Sequence, residues 1–205
     1  LRPEGIAAKI IGRETSVGVR AYRHVSERYY LKDVALGPVG RRLSSLREFF
    51  MKITILSVGR VRQSFVREGE QEYLKRLKGA MPVELVELGL EAPESLGPQQ
   101  VQEREAKELL KKLDAFEYVV VLDERGKTPN SHQFCDLLQK RMNAGTRSLV
   151  FVIGGAFGFS NAIRERADHV VSLSALTFPH QITRLILIEQ LYRSHTLMKG
   201  ISYHK

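Results

Sequence analysis

The sequence predicts an α/β fold, a parallel sheet flanked by helices. Two runs, Tyr118-Val-Val-Val-Leu122 and Leu149-Val-Phe-Val-Ile153, are apolar at almost every position. That suits strands buried on both faces, whereas a half-exposed antiparallel strand would alternate. Strand-like and helix-like segments alternate through residues 51–205 with short connections, the pattern of repeated β-α units. Polar or Gly-rich turns directly follow three of the apolar strands, and the carboxyl ends of strands are where an open parallel sheet carries its ligands.

Met51 is the first methionine and opens the first expected strand, Lys52-Ile-Thr-Ile-Leu-Ser-Val58. A helix follows over residues 64–78, with Phe65, Val66, Tyr73, Leu74 and Leu77 on one stripe, and then a strand over residues 83–88. A Gly/Pro-marked loop, residues 89–98, leads into a charged helix ending near Leu113. The two apolar strands bracket a helix over residues 131–143. After Gly154 come a short helix over residues 161–166, with Ser160 as its cap, a strand over residues 169–173, and a long amphipathic helix over residues 179–197. Residues 199–205 form a polar tail, and no internal repeat or low-complexity tract interrupts the order.

With 205 residues, 43% of them hydrophobic and 27% charged, the chain has material for one domain plus an appendage. The appendage is residues 1–50, rich in Arg, Gly and Ser, whose short apolar pieces hold no period. It is expected to be mostly unstructured: a basic RNA-binding arm, a transit peptide, or a stretch upstream of a start at Met51. It carries ten of the 32 Lys/Arg and five of the 23 Asp/Glu, so residues 51–205 hold 22 against 18, a net +4. A weak excess of this size is a poor nucleic-acid signature by itself. One cysteine, no signal peptide and no long apolar run point to a cytoplasmic protein without disulfides or a membrane span. The six His and one Cys show no metal-ligand spacing, so no metal is expected.

The chemistry is expected at three strand ends: Leu122-Asp-Glu-Arg-Gly-Lys127, Ile153-Gly-Gly-Ala-Phe-Gly158 and Leu173-Ser-Ala-Leu-Thr-Phe178. Glycines 154, 155 and 158 allow a ligand close to the backbone. Their spacing is neither the dinucleotide fingerprint nor a phosphate loop, because it lacks G-x-G-x-x-G and no Gly-Lys-Ser/Thr follows. The neighbouring carboxylates Asp123 and Glu124 are expected to be solvated in a polar turn, and Cys135 to be a small buried hydrophobe.

Five stretches taken together closely resemble the RlmH family of SPOUT methyltransferases. They are Ser172-Leu-Ser-Ala-Leu-Thr-Phe-Pro-His-Gln-Ile-Thr-Arg184, Ile188-Glu-Gln-Leu-Tyr-Arg193, the terminal Tyr203-His-Lys205, and the Gly-bearing loops at 122–127 and 152–158. The resemblance spans residues 51–205 and not residues 1–50. It implies a fold with a deep C-terminal trefoil knot, a homodimer, and S-adenosylmethionine (SAM) bound in the knot. Carried over to this chain, the cofactor contacts are Leu122, Gly154, Leu173, Ser174, Ala175, Leu176, Thr177 and Phe178. The implied reaction is methylation of N3 of a pseudouridine in a 23S rRNA stem-loop at the subunit interface, with the assembled ribosome as substrate.

Methyl transfer to that nitrogen needs alignment and a way to remove or offset the N3 proton. The candidate catalytic residues are His180, Arg184, Tyr203 and His204: a neutral-range base, a cation for an oxyanion or phosphate, and a tail that orients the base. Each also has a structural reading. His180 sits at a helix start and can bond local backbone; Arg184 can pair with Glu189 or another acid; a chain terminus is commonly disordered. Two other functions fit the same residues, a SPOUT enzyme acting on tRNA and a non-catalytic ribosome-binding factor that keeps SAM as a structural ligand.

Overall fold

The computed structural model describes residues 19–22, 51–90 and 95–203. Six strands and five helices follow in the order β1 (Val19–Tyr22), β2 (Lys52–Val58), α1 (Ser64–Leu77), β3 (Val83–Leu88), α2 (Pro98–Leu113), β4 (Tyr118–Lys127), α3 (Ser131–Asn143), β5 (Ser148–Ile153), α4 (Asn161–Arg166), β6 (His169–Val171) and α5 (His180–Lys199). They form one sheet in the order β1-β3-β2-β5-β4-β6. The five strands from β2 onward run parallel. β1 joins the edge antiparallel to β3, with Val19 opposite Leu88. Apart from these four residues, the expectation that residues 1–50 lack structure falls outside the described residues.

The period of two in each strand divides the core into two layers. Ile53, Ile55, Val120, Leu122, Leu149, Phe151 and Ile153 face α1, α3 and α5, packing on Leu77, Phe134, Leu138, Leu187, Ile188 and Leu191. Leu56, Val58, Val119, Val121, Val150 and Val152 face the other way, onto Ala106, Leu109 and Leu113 of α2 and Ile163 of α4. The near-continuous apolar runs are therefore explained: both faces of the central strands are covered. Helix starts are fixed locally. Pro98 opens α2, and the Gly97 N–H donates to Gln100 Oε1 at 3.1 Å. Asn130 and Gln133 cap α3 reciprocally, each side chain accepting from the other's backbone N–H at 2.9 Å. Ser160 does hold the N-cap position of α4, but its side chain makes no capping bond.

The ends of two strands differ from expectation. β6 ends at Val171, two residues early, because the chain turns at Ser172 and the Ser172 N–H donates to Lys127 O at 2.9 Å. β4 does not end at Leu122; it bulges out through Asp123–Glu124–Arg125–Gly126 and rejoins β6, so that Leu122 and Lys127 both register with Val171. Gly126 makes this possible. A methyl group there would lie 2.6 Å from the Val171 carbonyl carbon and 2.8 Å from Ser172 N, closer than real side chains come.

Arg184, expected to face an oxyanion or phosphate, is instead buried at 3% exposure beneath α5. Its Nε and Nη2 donate to the two oxygens of Glu70 on α1 at 2.5 and 2.8 Å, and Nη1 donates to Glu87 of β3 at 2.7 Å and Ser57 of β2 at 3.2 Å. The other Glu87 contact reaches the loop after β2, where the Val61 N–H donates to Oε1 at 3.3 Å. Burial by itself would lower the arginine's pKa, but the hydrogen bonds and charges of Glu70 and Glu87 outweigh it and the pKa is raised. The ion-pair alternative weighed for this residue holds, with Glu70 and Glu87 as partners and not Glu189. Removing one member of a buried ion cluster leaves uncompensated charge, so Arg184→Ala should cost about 3–5 kcal/mol in urea denaturation, with Arg184→Lys intermediate. A loss under about 1 kcal/mol would mean that water reaches the two carboxylates.

Candidate active site

Because β5, β4 and β6 are neighbours and parallel, their carboxyl ends are brought level: Leu122 registers with both Ile153 and Val171. The three segments that follow them enclose one cleft of about 370 Å³. Of the residues carried over as cofactor contacts, Leu122, Gly154, Leu173, Ser174, Leu176, Thr177 and Phe178 line it, and so does His180. Ala175 does not; it sits exposed within the same run. Arg184 and Tyr203 are also absent from the cleft wall, and His204 lies outside the described residues.

The wall between residues 154 and 158 is held from behind by α2. Glu105 accepts a hydrogen bond from the Gly155 N–H, and one turn earlier Gln102 Nε2 donates to Phe157 O. A methyl group on Gly155 would sit 2.5 Å from Glu105 Oε1, so the carboxylate would have to shift to admit a side chain there. Burial raises the Glu105 pKa, and the Gly155 hydrogen bond pulls it partly back. Sequence reading missed both side chains, which lie on a helix that looks merely charged.

Asp123 is not solvated. Its carboxylate is buried, accepting from the Arg125 N–H at 2.9 Å and from Arg164 Nε at 2.8 Å, so it braces the bulge of β4 against α4. Glu124 is exposed, as expected. On the third wall, Ser172 Oγ donates to Ser174 O at 2.7 Å and Ser174 Oγ accepts from the Leu176 N–H at 2.9 Å. Those turns hold Leu176 out at 71% exposure, with Phe157 at 46% and Phe178 at 37% beside the same cleft. Exposed apolar side chains around a polar backbone cradle suit a flat, partly aromatic ligand.

His180 begins α5 at the cleft margin, half-buried. A methyl group on Gly59 would lie 3.2 Å from its Nε2, so the ring rests on the loop after β2. Burial, and secondarily the charge of Arg184, lowers its pKa. The imidazole is therefore neutral at neutral pH and has an acceptor nitrogen to offer.

Tyr203 lies elsewhere. Its ring packs edge-on to Tyr192 at 4.9 Å, its hydroxyl donates to Glu189 Oε1 at 3.2 Å and lies 3.4 Å from that of Tyr73, and Arg193 stacks over it at 5.0 Å. Burial, Tyr73 and Glu189 all push its pKa up. Cys135 is buried, with Sγ 3.6 Å from Ser194 O, and burial raises its pKa. Among the described residues no group of three His, Cys, Asp or Glu is placed to hold a metal, and no helix is long and apolar enough to cross a membrane.

Residues 51–204 match the model of a family described as "Predicted SPOUT methyltransferase", and the chain belongs to the SPOUT methyltransferase family. Among its relatives, a protein of Acetivibrio thermocellus called ribosomal RNA large subunit methyltransferase H is 42% identical over 159 residues, 76% of this chain and all of that one. Proteins of the same name from Enterococcus faecalis and Syntrophotalea carbinolica are 40% and 38% identical, covering 76% and 75% of this chain and 100% and 99% of theirs. Within the SPOUT class, the chain therefore groups with the methyltransferases H. A probable methyltransferase from Bordetella pertussis, at 12% identity, superposes with a TM-score of 0.48 over 74% of this chain and 98% of its own.

The lowered pKa of His180 carries a sign. In the unfolded chain the imidazole takes up its proton near pH 6.5, while in the folded chain it does so only at lower pH, so the unfolded state binds more protons in between. Stability should fall as pH drops below about 6.5, with His195, also lowered by burial, adding in the same direction. An NMR titration should place the His180 midpoint below that of a free imidazole. A midpoint at or above about 6.5 would show a ring open to water or facing an acid.

Proposed function

We propose that this chain is a SAM-dependent methyltransferase of large-subunit ribosomal RNA, acting in the cytoplasm on N3 of a 23S rRNA pseudouridine within the assembled ribosome. The reading rests on one observation above all: the three strand-end segments named by sequence line a single cleft, and the relatives that match the whole folded part carry the name ribosomal RNA large subunit methyltransferase H. The cleft fits SAM in kind. Leu122, Gly154 and the backbone after Leu173 offer close polar approach, and Phe157, Leu176 and Phe178 are apolar surfaces that an adenine ring would cover. Bound SAM would supply an electrophilic methyl group for in-line displacement by the acceptor nitrogen.

The chain's own residues then have separate tasks. The walls from β4, β5 and β6 hold the donor still; the trefoil knot implied by the resemblance would stiffen them further. His180, neutral and at the margin of the cleft, would take the N3 proton as the nitrogen becomes nucleophilic. Arg184 acts through position only, holding the first turn of α5 to α1 and β3.

The tail fits this scheme only across two copies. Tyr203 packs on Tyr192, twelve positions along α5 from His180, about 18 Å of helix at 1.5 Å per residue. A tail so placed serves the cleft of a second copy better than its own, which supports a homodimer. Exposed Phe65 on α1 and Ile201 after α5, at 58% and 53%, are surfaces a partner would cover. Heterodimers pairing a His180→Ala chain with one lacking residues 203–205 should recover activity that neither parent homodimer has. No recovery would put the tail and His180 in one chain's site or outside catalysis.

The direct test uses methyl-labelled SAM with assembled ribosomes, free 23S rRNA and tRNA from cells lacking the enzyme. Label is expected on one pseudouridine of assembled ribosomes. With a net charge of only +4 over residues 51–205, activity on free 23S rRNA should be poor, because shape and not charge must supply the specificity. Labelled tRNA would overturn the substrate, and SAM binding with no labelled RNA would favour a binding factor.

A further inference from the structure

The geometry points to a phosphate-binding subsite beside the cofactor cleft: the turn Gly59-Arg60-Val61-Arg62-Gln63, whose two arginines hold the backbone of the RNA strand that presents the target base to His180. The inference rests on the rRNA methyltransferase reading and deepens it.

The turn is fastened at nearly every residue. Gly59 N–H donates to Leu88 O at 2.9 Å, Val61 N–H to Glu87 Oε1 at 3.3 Å, and Arg62 and Gln63 N–H to Gln181 Oε1 at 2.8 and 3.4 Å. From α1, Arg67 Nη2 donates to Arg62 O at 3.0 Å. Val61 is buried, and as the inward residue it leaves Arg60 and Arg62 on either side exposed. Neither arginine makes an ion pair with a described residue, which they share with other exposed arginines such as Arg147.

A pair of solvated arginines on a loop is ordinarily only a surface feature. Here three facts weigh against that. The backbone is held to the buried Arg184–Glu87 pair and to the second residue of α5, so the arginines project from a fixed backbone and binding has only their side chains left to order. Gly59 touches the His180 ring, which places the pair next to the residue that meets the target base. The folded part has little net charge to spare, so attraction for a polyanion must come from local clusters such as this one. Guanidinium groups suit phosphodiester oxygens in particular, which they bind through two parallel donors. An acidic protein segment would meet the same charge, but His180 and the cleft need a nucleotide delivered, and its flanking phosphates arrive with it.

The test measures methyl transfer to assembled ribosomes by full-length wild type, Arg60→Gln/Arg62→Gln, Arg60→Lys/Arg62→Lys, and Arg147→Gln, an exposed arginine at the opposite end of the sheet. The Gln pair should raise KM for ribosomes about 10-fold and flatten the dependence of log(kcat/KM) on log[salt] by about 1 per phosphate lost. SAM affinity and kcat should stay at wild-type values, the Lys pair should recover most of the loss, and Arg147→Gln should change nothing. An unchanged KM, a raised KM with an unchanged salt slope, or a parallel loss of SAM affinity each overturns the subsite. A weakening seen on ribosomes but not in binding to free 23S rRNA would assign the turn to a ribosomal protein and overturn it too. Wild type that labels no ribosome at all is a different failure, that of the rRNA methyltransferase reading itself.

Discussion

A guanidinium removed from water must find an acceptor for its donors, and Arg184 finds them on three different elements. Glu70 from α1, Glu87 from β3 and Ser57 from β2 converge on it, and Glu87 extends the cluster to the Val61 N–H. An ion cluster of this kind need not add net stability over an apolar core. Its effect is geometric, because charges that are expensive to expose allow one arrangement. That arrangement sets where α5 begins, and hence where His180 meets the cleft and where the turn with Arg60 and Arg62 is presented. A change at Arg184 is therefore transmitted to the margin of the site without touching any ligand.

The second constraint is the parallel sheet. Because β5, β4 and β6 run side by side in one direction, three loops far apart in sequence open at one edge. Each wall then has its own support: Gly126 pressed on Val171 and Ser172, Asp123 paired with Arg164, and α2 holding residues 155 and 157 through Glu105 and Gln102. Glycines, serines and apolar side chains line the cleft together with Asp123 and Glu124, while Glu105 stands behind it. The cradle is thus built from the fold's own contacts. Tyr203 stays apart from that cradle, packed on Tyr192.

Much of this was legible in the sequence. Apolar continuity at 118–122 and 149–153 reports burial on both faces, so the parallel sheet and the strand-end location of the cleft follow from residue type alone. Of the eight residues named for the cofactor, seven line the cleft, because a loop that leaves a sheet has few directions in which to go. Ala175 is the exception, exposed within the turns that the hydroxyls of Ser172 and Ser174 make.

Long-range pairing decided the rest. Nothing in the spacing of Glu70, Glu87 and Arg184 joins them; only packing of α1 and α5 on the sheet does, and it converts a candidate catalytic cation into a structural one. The same holds for Asp123 with Arg164, for Glu105 beneath Gly155, and for Tyr203, whose ring finds Tyr73 and Tyr192 instead of the cleft. Periodicity and turn chemistry are properties of neighbouring residues, so the sequence by itself determined the elements and the edge of the sheet that bears the site. Which charged side chains are buried together and which face solvent depends on residues a hundred positions apart, and the tertiary structure alone decided that.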